Sequence, residues 1–482
     1  MIPPVALEAA VVCLGIFLLM ADAFLFSESK RPIAYLGVFG LAIVFVGTFF
    51  LQPAAAGWTY AGFYINDDLA LFFKRFSILA TILTIILTID YSDIIQRLIP
   101  SSRPGAGLGE MFILPVFTCA GLMWMVSAAD FIMIFCALEL VTISFYVQVA
   151  YMRRSAASLE AGTKYLILGA LSTGFIVYGI TWIFGMTGQT TLARIGQVLT
   201  TEMPVANQTA LLFGVGLVLV ALGFKVAAAP FQFWVPDVYQ GAPTPTTAFL
   251  SVASKAAGFV VLMRVLEPFL AVPAIQEKLL TALAFIAGLT LIYGNLAAMP
   301  QTNLKRLLGY SSIAHAGYLL VGIVSVGAPF AGKAVVFYLF GYLLMTFVAF
   351  LILIPVTKAT GGDDIAHFAG LSKRAPGLAL ALLIAMASLA GVPFTVGFLG
   401  KFFILEAAIQ QQHYALAAVG IVTVAAGFYY YFKVIRAMYW LPAADGAPDI
   451  SISAFSRFAI LVLTALIVLF GVYPLPLLAL LP

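Results

Sequence analysis

The sequence predicts an all-α polytopic membrane protein of about fourteen transmembrane helices. Of its 482 residues, 63% are hydrophobic and 9% charged, with a mean hydropathy of +1.09. A soluble domain carries about 25% charged residues. The second observation is a succession of apolar runs, each near the roughly 20 residues that cross about 30 Å of hydrocarbon. The third is the placement of lysine and arginine. Loops after odd-numbered spans hold Lys30, Arg31, Arg97, Arg103, Arg153, Arg154, Lys305, Arg306, Lys358, Lys373, Arg374, Arg436 and Arg457, whereas those after even-numbered spans hold Arg194, Arg264, Lys278 and Lys333. By the positive-inside rule both termini then face away from the cytoplasm.

The approximate spans are 5–26, 31–51, 69–90, 110–127, 130–151, 161–186, 208–235, 246–267, 278–299, 303–325, 331–357, 376–408, 414–438 and 457–479. The first has no positive n-region, so it reads as a retained span. Spans 7 and 12 are too long for one crossing, and each carries a central proline, Pro230 in "AAAPFQF" and Pro393 in "AGVPFTV". Proline removes a backbone donor, and freed backbone groups at membrane depth are tolerated only inside protein or beside water. Matching broken helices are the mark of a transporter built from inverted repeats; the plainer alternative is two ordinary kinks. Repeats of five spans fit, which divides the chain into 1–109 (helices 1–3), 110–267 (helices 4–8), 276–439 (helices 9–13) and 440–482 (helix 14).

Charges inside spans carry the chemistry. Each costs roughly 2.5–3.5 kcal/mol at a helix centre. Glu139 and Lys255 fall near the midplane, Lys225 just before Pro230, and Lys401 after Pro393. Burial favours the neutral amine and a nearby carboxylate favours the cation, so a lysine held between the two effects can release a proton when its partner moves. Coordination of a metal cation would prefer carboxylates and carbonyls. Several reserve readings stand beside this one. Lys225, Lys255, Lys401 and Glu139 could be structural ion pairs. Lys164 could be structural or a snorkelling surface lysine. His315 could be a relay member or a satisfied core side chain. Asp237 could cap a helix or admit ions. Lys74, Arg75 and Lys433 lie near span ends and are expected to snorkel.

Redox and metal chemistry have no foothold in the motifs. The 3 cysteines, Cys13, Cys119 and Cys136, are far apart in apolar segments and read as core thiols; His315, His367 and His413 are dispersed. The "GAGLG" at 105–109 lacks dinucleotide-binding spacing.

The stretches "FCALELVTISFYV", "GFKVAAAPFQFWVPDVYQGAPTPTTAFLSVASKAAGF", "NLKRLLGYSSIAHAGYLLVG" and "AGVPFTVGFLGKFFIL" together resemble the antiporter-like membrane subunits of respiratory complex I, the subunit N branch most nearly. Lys401, where subunit M usually has glutamate, and the end at Pro482 without a lateral helix, distinguish it from the M and L branches. The resemblance implies fourteen helices, two inverted five-helix repeats and broken helices 7 and 12. It also implies a proton path in which Glu139 pairs with Lys225, and Lys255, His315 and Lys401 continue the relay, with Lys164 of less clear role. NADH, FMN, iron–sulfur clusters and quinone would sit in partner subunits, none in this chain. Subunits M and K and membrane lipids would be neighbours, and the site a bacterial inner membrane with both termini periplasmic. A subunit of a multisubunit cation/proton antiporter is the rival reading, and a scaffold of a membrane redox complex the third.

Overall fold

The structure is a computed structural model, and it describes residues 3, 5–24, 30–51, 58–100, 105–201, 208–443 and 446–482. Arg103 and the end of the first expected span lie outside these residues. Among the described residues, thirteen helices are long and apolar enough to cross a membrane. They begin with α1 (Ala6–Phe24) and α2 (Arg31–Gly47), then a small hairpin of β1 (Trp58–Thr59) and β2 (Tyr64–Ile65). There follow α3 (Asp68–Leu98), α4 (Glu110–Ser127), α5 (Phe131–Val149), α6 (Ala156–Thr187) and a short amphipathic α7 (Leu192–Thr201). Asp67 and Asp130 accept hydrogen bonds from the first-turn amides of Ala70 and Ile132, which fixes where α3 and α5 start.

The seventh crossing is broken, as its length and proline predict. α8 (Gln208–Val226) stops before Pro230 and α9 (Val235–Gly241) resumes after it. Ala227 between them has φ +67°, a left-handed conformation costly for a residue with a Cβ. The freed groups are satisfied inside the protein. The Trp234 indole donates to the carbonyl of Phe224 (3.0 Å), and the Ala229 amide donates to Thr290 Oγ1 (2.9 Å).

The next crossing is made of α10 (Thr244–Phe249), one π-helical stretch over Leu250–Ser254, and α11 (Lys255–Leu270). Sequence alone gives no sign of that π-turn, a feature that recurs beside functional residues; it delivers the chain directly to Lys255. Then come α12 (Pro273–Ala298), α13 (Leu304–Val324) and α14 (Ala331–Thr360). A short α15 (Leu371–Arg374) leads to α16 (Pro376–Ala390) and α17 (Val396–Gln410), which together form the second broken crossing around Pro393. Gly391 (φ +95°) and Phe394 (φ +67°) make that turn. α18 (Tyr414–Trp440), α19 (Ala454–Val472) and a terminal α20 (Leu475–Leu478) complete the chain.

α13 is buried along its whole length, with α10–α11 and α14 nearly so, while α1, α2, α6 and α19 expose most of their surface. The mostly apolar α14 and the hydroxyl-rich α13 are thus the central posts of the bundle. The cysteines divide against expectation: Cys119 is a core thiol, but Cys13 and Cys136 are exposed on helix surfaces.

Candidate functional site

Four buried stations lie along the interior. At the first, Lys225 occupies the last turn of α8 and its Nζ donates to Thr142 Oγ1 at 3.2 Å. Glu139, on the same face of α5 as Thr142, accepts instead from Thr173 Oγ1 at 2.7 Å. The expected Glu139–Lys225 ion pair is therefore not closed here; each side chain takes a different threonine hydroxyl instead. The stem of Lys225 packs on Gly258 of α11, where a Cβ would approach its Cγ to 3.2 Å. Gly258 lies one helical turn beyond Lys255, so the two lysines share a helix face as a common wall.

At the second station, Lys255 donates to Ser312 of α13 through both the carbonyl and the hydroxyl, and lies 5.9 Å from the Tyr342 ring centre. Ser312 Oγ also meets Tyr239 OH at 3.1 Å. The third station is His315. Its Nδ1 is 2.6 Å from Tyr338 OH and its Nε2 is 3.0 Å from Tyr431 OH, which also bonds Ser311 Oγ. Both ring nitrogens are engaged with groups that can donate or accept, so either tautomer is accommodated.

The fourth station is Lys401 on α17. It reaches back across the break to the carbonyls of Leu389 (2.9 Å) and Ala390 (2.8 Å), the orphan acceptors at the end of α16. A cation there also complements the negative end of the α16 dipole. Gly391 makes room, since a Cβ would come within 3.1 Å of Lys401 Cδ. The ammonium faces the Tyr318 ring at 5.1 Å, and Tyr318 OH bonds the Gly420 carbonyl (2.9 Å) and Thr423 Oγ1 (3.1 Å).

One helix ties stations two to four together. Ser311, Ser312, His315 and Tyr318 follow one another at helical spacing on α13, so one face presents a hydroxyl, an imidazole and a phenol in turn. The tyrosines and serines of this array were not singled out by charge, because hydroxyl and phenol side chains are ordinary in spans. Their signal is the helical register in "GYSSIAHAGYLL", readable only once α13 is known to be central.

Lys164 does not join the array. It is half-exposed and pairs with Glu160 (2.6 Å) and Asp237 (2.6 Å), and Asp237 also holds Arg306 (2.7 Å), so this network pins α9 to α6 and α13. Lys74 is a correction: it does not snorkel but is fully buried against Glu8 at 3.0 Å, with Tyr64 and Asn66 as further partners. Glu8, fully buried near the chain start, was not foreseen. Arg264 is a second correction. It is no loop residue but a buried member of α11, bidentate to Asp67 (3.0 and 2.7 Å) and bonded to the Val126 carbonyl. Burial alone would favour the neutral acid of Asp67, yet the Arg264 guanidinium holds that carboxyl below its ordinary range. Arg75 and Lys433 do reach backbone carbonyls near span ends, at Thr48 and Gln301.

A bundle with two broken crossings and with lysines and a histidine buried in its interior defines a polytopic membrane protein of the ion-translocating class. The family model for the NADH:quinone oxidoreductase/Mrp antiporter transmembrane region matches residues 128–428. "NADH-quinone oxidoreductase subunit N" of Trichlorobacter lovleyi is 40% identical over 97% of this chain and 93% of its own. A chain of respiratory complex I from Thermus thermophilus superposes with a TM-score of 0.81 at 30% identity, over 98% of each chain. A chain of the Mrp complex from Dietzia sp. reaches the same TM-score at 18% identity, over 98% of this chain and 96% of its own, and so shares the fold. The chain belongs to the NADH:quinone oxidoreductase/Mrp antiporter membrane family, and the full-length relative at 40% identity is a subunit N.

Proposed function

We propose that this chain is the subunit-N-type, proton-translocating membrane component of an NADH:quinone oxidoreductase. It converts a signal from quinone reduction in partner subunits into proton movement along Glu139, Lys225, Lys255, His315 and Lys401. The observation that carries the reading is the α13 face, where Ser312 touches Lys255 and His315 stands between Ser312 and the Tyr318–Lys401 contact. In this scheme the present arrangement, with Glu139 on Thr173 and Lys225 on Thr142, is the separated state. Closure of the pair holds the proton on Lys225; opening releases it toward Lys255, and His315 and its tyrosines pass charge on to Lys401. Lys164 acts outside this route, as an anchor of α9.

Flavin, iron–sulfur clusters, NADH and quinone belong to the partners in this scheme. An antiporter-like subunit M and the small subunit K flank the chain, the membrane is a bacterial inner membrane, and both termini are periplasmic. Each broken crossing is the fourth of five in its repeat, 110–267 and 276–439, the second inverted. Identity favours the oxidoreductase over the cation/proton antiporter, at 30% against 18% for the two solved complexes. The test is Lys255→Met in the assembled complex, reading protons moved per electron pair in vesicles beside NADH oxidation by the same preparation. Lower stoichiometry with normal assembly is expected. Normal stoichiometry refutes the axis, and purification without NADH-oxidising partners refutes the assignment to the oxidoreductase.

A further inference from the structure

A groove of about 610 Å³ runs between α16 and α19, away from the buried array. Leu380 and Ile384 line one wall and Leu461 and Val468 the other, and Leu380 and Leu461 are well exposed. Arg374 and Arg457 stand at one end. Arg374 Nη2 donates to the Pro448 carbonyl at 2.7 Å, but its Nε is buried with no partner. The Arg457 side chain is exposed, with no ion pair or side-chain hydrogen bond among the described residues. Deeper in the groove the Thr464 hydroxyl is also buried and unpartnered.

We propose that this groove holds one anionic phospholipid, its phosphate on Arg374 and Arg457 and one acyl chain running past Thr464 between α16 and α19. The dimensions fit. From Arg457 to Val468 the helix rises about 16 Å at 1.5 Å per residue, one leaflet of a hydrocarbon core about 30 Å thick. Guanidinium groups are matched to phosphate oxygens by their paired donors. An acyl chain gains no hydrophobic advantage from leaving other lipid tails, so selectivity comes from the headgroup. Two unneutralised cations favour a headgroup without a cation of its own. Arg374, just before α16, and Arg457, in the first turn of α19, both follow odd-numbered spans, on the face that the positive-inside rule assigns to the cytoplasm, where anionic lipid attracts basic residues.

The test uses the native membrane complex, stripped with detergent and titrated with phosphatidylglycerol or phosphatidylcholine, with bound lipid counted by native mass spectrometry. Phosphatidylglycerol should be retained in preference, and Arg457→Gln should weaken it about fivefold, with roughly 25-fold for Arg374→Gln/Arg457→Gln. Because the Arg457 side chain holds no hydrogen bond or ion pair among the described residues, the single variant suffices if the double one fails to assemble. Thr464→Trp should fill the groove and exclude the lipid with both arginines in place. Equal binding of the two lipids, unchanged binding by R457Q, displacement by inorganic phosphate at matched concentration, or occupation of the groove by a partner helix would each overturn the proposal.

Discussion

The Nζ of Lys401 lies 2.8 Å from the carbonyl oxygen of Ala390, across the turn that separates α17 from α16. The lysine thus serves two purposes with one geometry. It ends the proposed relay, and it satisfies backbone acceptors that a broken helix would leave unpaired at membrane depth. Lys401→Met should therefore cost more than pumping. Removing the donor leaves two buried carbonyls, each worth about 1–3 kcal/mol. Amide exchange at Gly391 and Val392 should accelerate and thermal stability fall. Lys401→Arg should restore the protection if capping alone is at stake, while proton movement stays impaired.

Ser312 is the contact between Lys255 and the α13 face, so Ser312→Ala should slow proton translocation without altering assembly. Losing one hydrogen bond of about 1 kcal/mol corresponds to roughly fivefold in rate. Tyr431→Phe, which removes a partner of His315 Nε2 and of Ser311, should act in the same direction. Pumping rates normalised to NADH oxidation in vesicles check both. Full rates in both variants would exclude a path along α13.

The parts of this arrangement visible in the sequence were those that violate the rules for a lipid-facing helix. Lys225, Lys255, Lys401 and Glu139 stand out because charge in an apolar run is costly, and Pro230 and Pro393 because they break a span. Nothing comparable marks Ser312, Tyr338 or Tyr431, which are compatible with any membrane helix and gain a role only from the helix opposite. The burial of Lys74 is hidden in the sequence for a related reason. Its position near a span end looks like snorkelling, and only the fold brings Glu8 from α1 to meet it. The open Glu139–Lys225 pair was likewise unreadable, since spacing places two groups on facing helices but cannot say which of several hydroxyls each one takes.

Glu8 and Lys74 permit a clean double-mutant cycle. Both side chains are fully buried, so removing one leaves an uncompensated charge. Glu8→Met or Lys74→Met alone should destabilise the chain by about 3–5 kcal/mol. The double variant Glu8→Met/Lys74→Met should recover most of that loss, because well-packed apolar side chains replace a buried pair at little cost. Thermal unfolding of the purified complex measures all three. If the double variant is as unstable as the singles, the pair's partners Tyr64 and Asn66 matter more than the charge balance.

The Asp67–Arg264 clamp joins the start of α3 to α11, the helix that carries Lys255, and its dependence on pH has a definite sign. The Asp67 carboxyl sits below its ordinary value of 3.8 in the folded chain because Arg264 outweighs the opposing effect of burial. A carboxyl with a lowered folded pKa contributes stability in full above its unfolded value, and loses it as pH falls through the lower folded value. Between neutral pH and about 5 the clamp's contribution should therefore be constant, and it should decline only below about 4. Asp67→Asn should lower the melting temperature at neutral pH while flattening its fall in acid. Arg264→Gln should return the Asp67 titration toward 3.8 and move the acid transition to higher pH. Melting curves recorded across this range for the three proteins decide it, and a transition at the same pH in R264Q would mean that Arg264 does not set the carboxyl's affinity for protons.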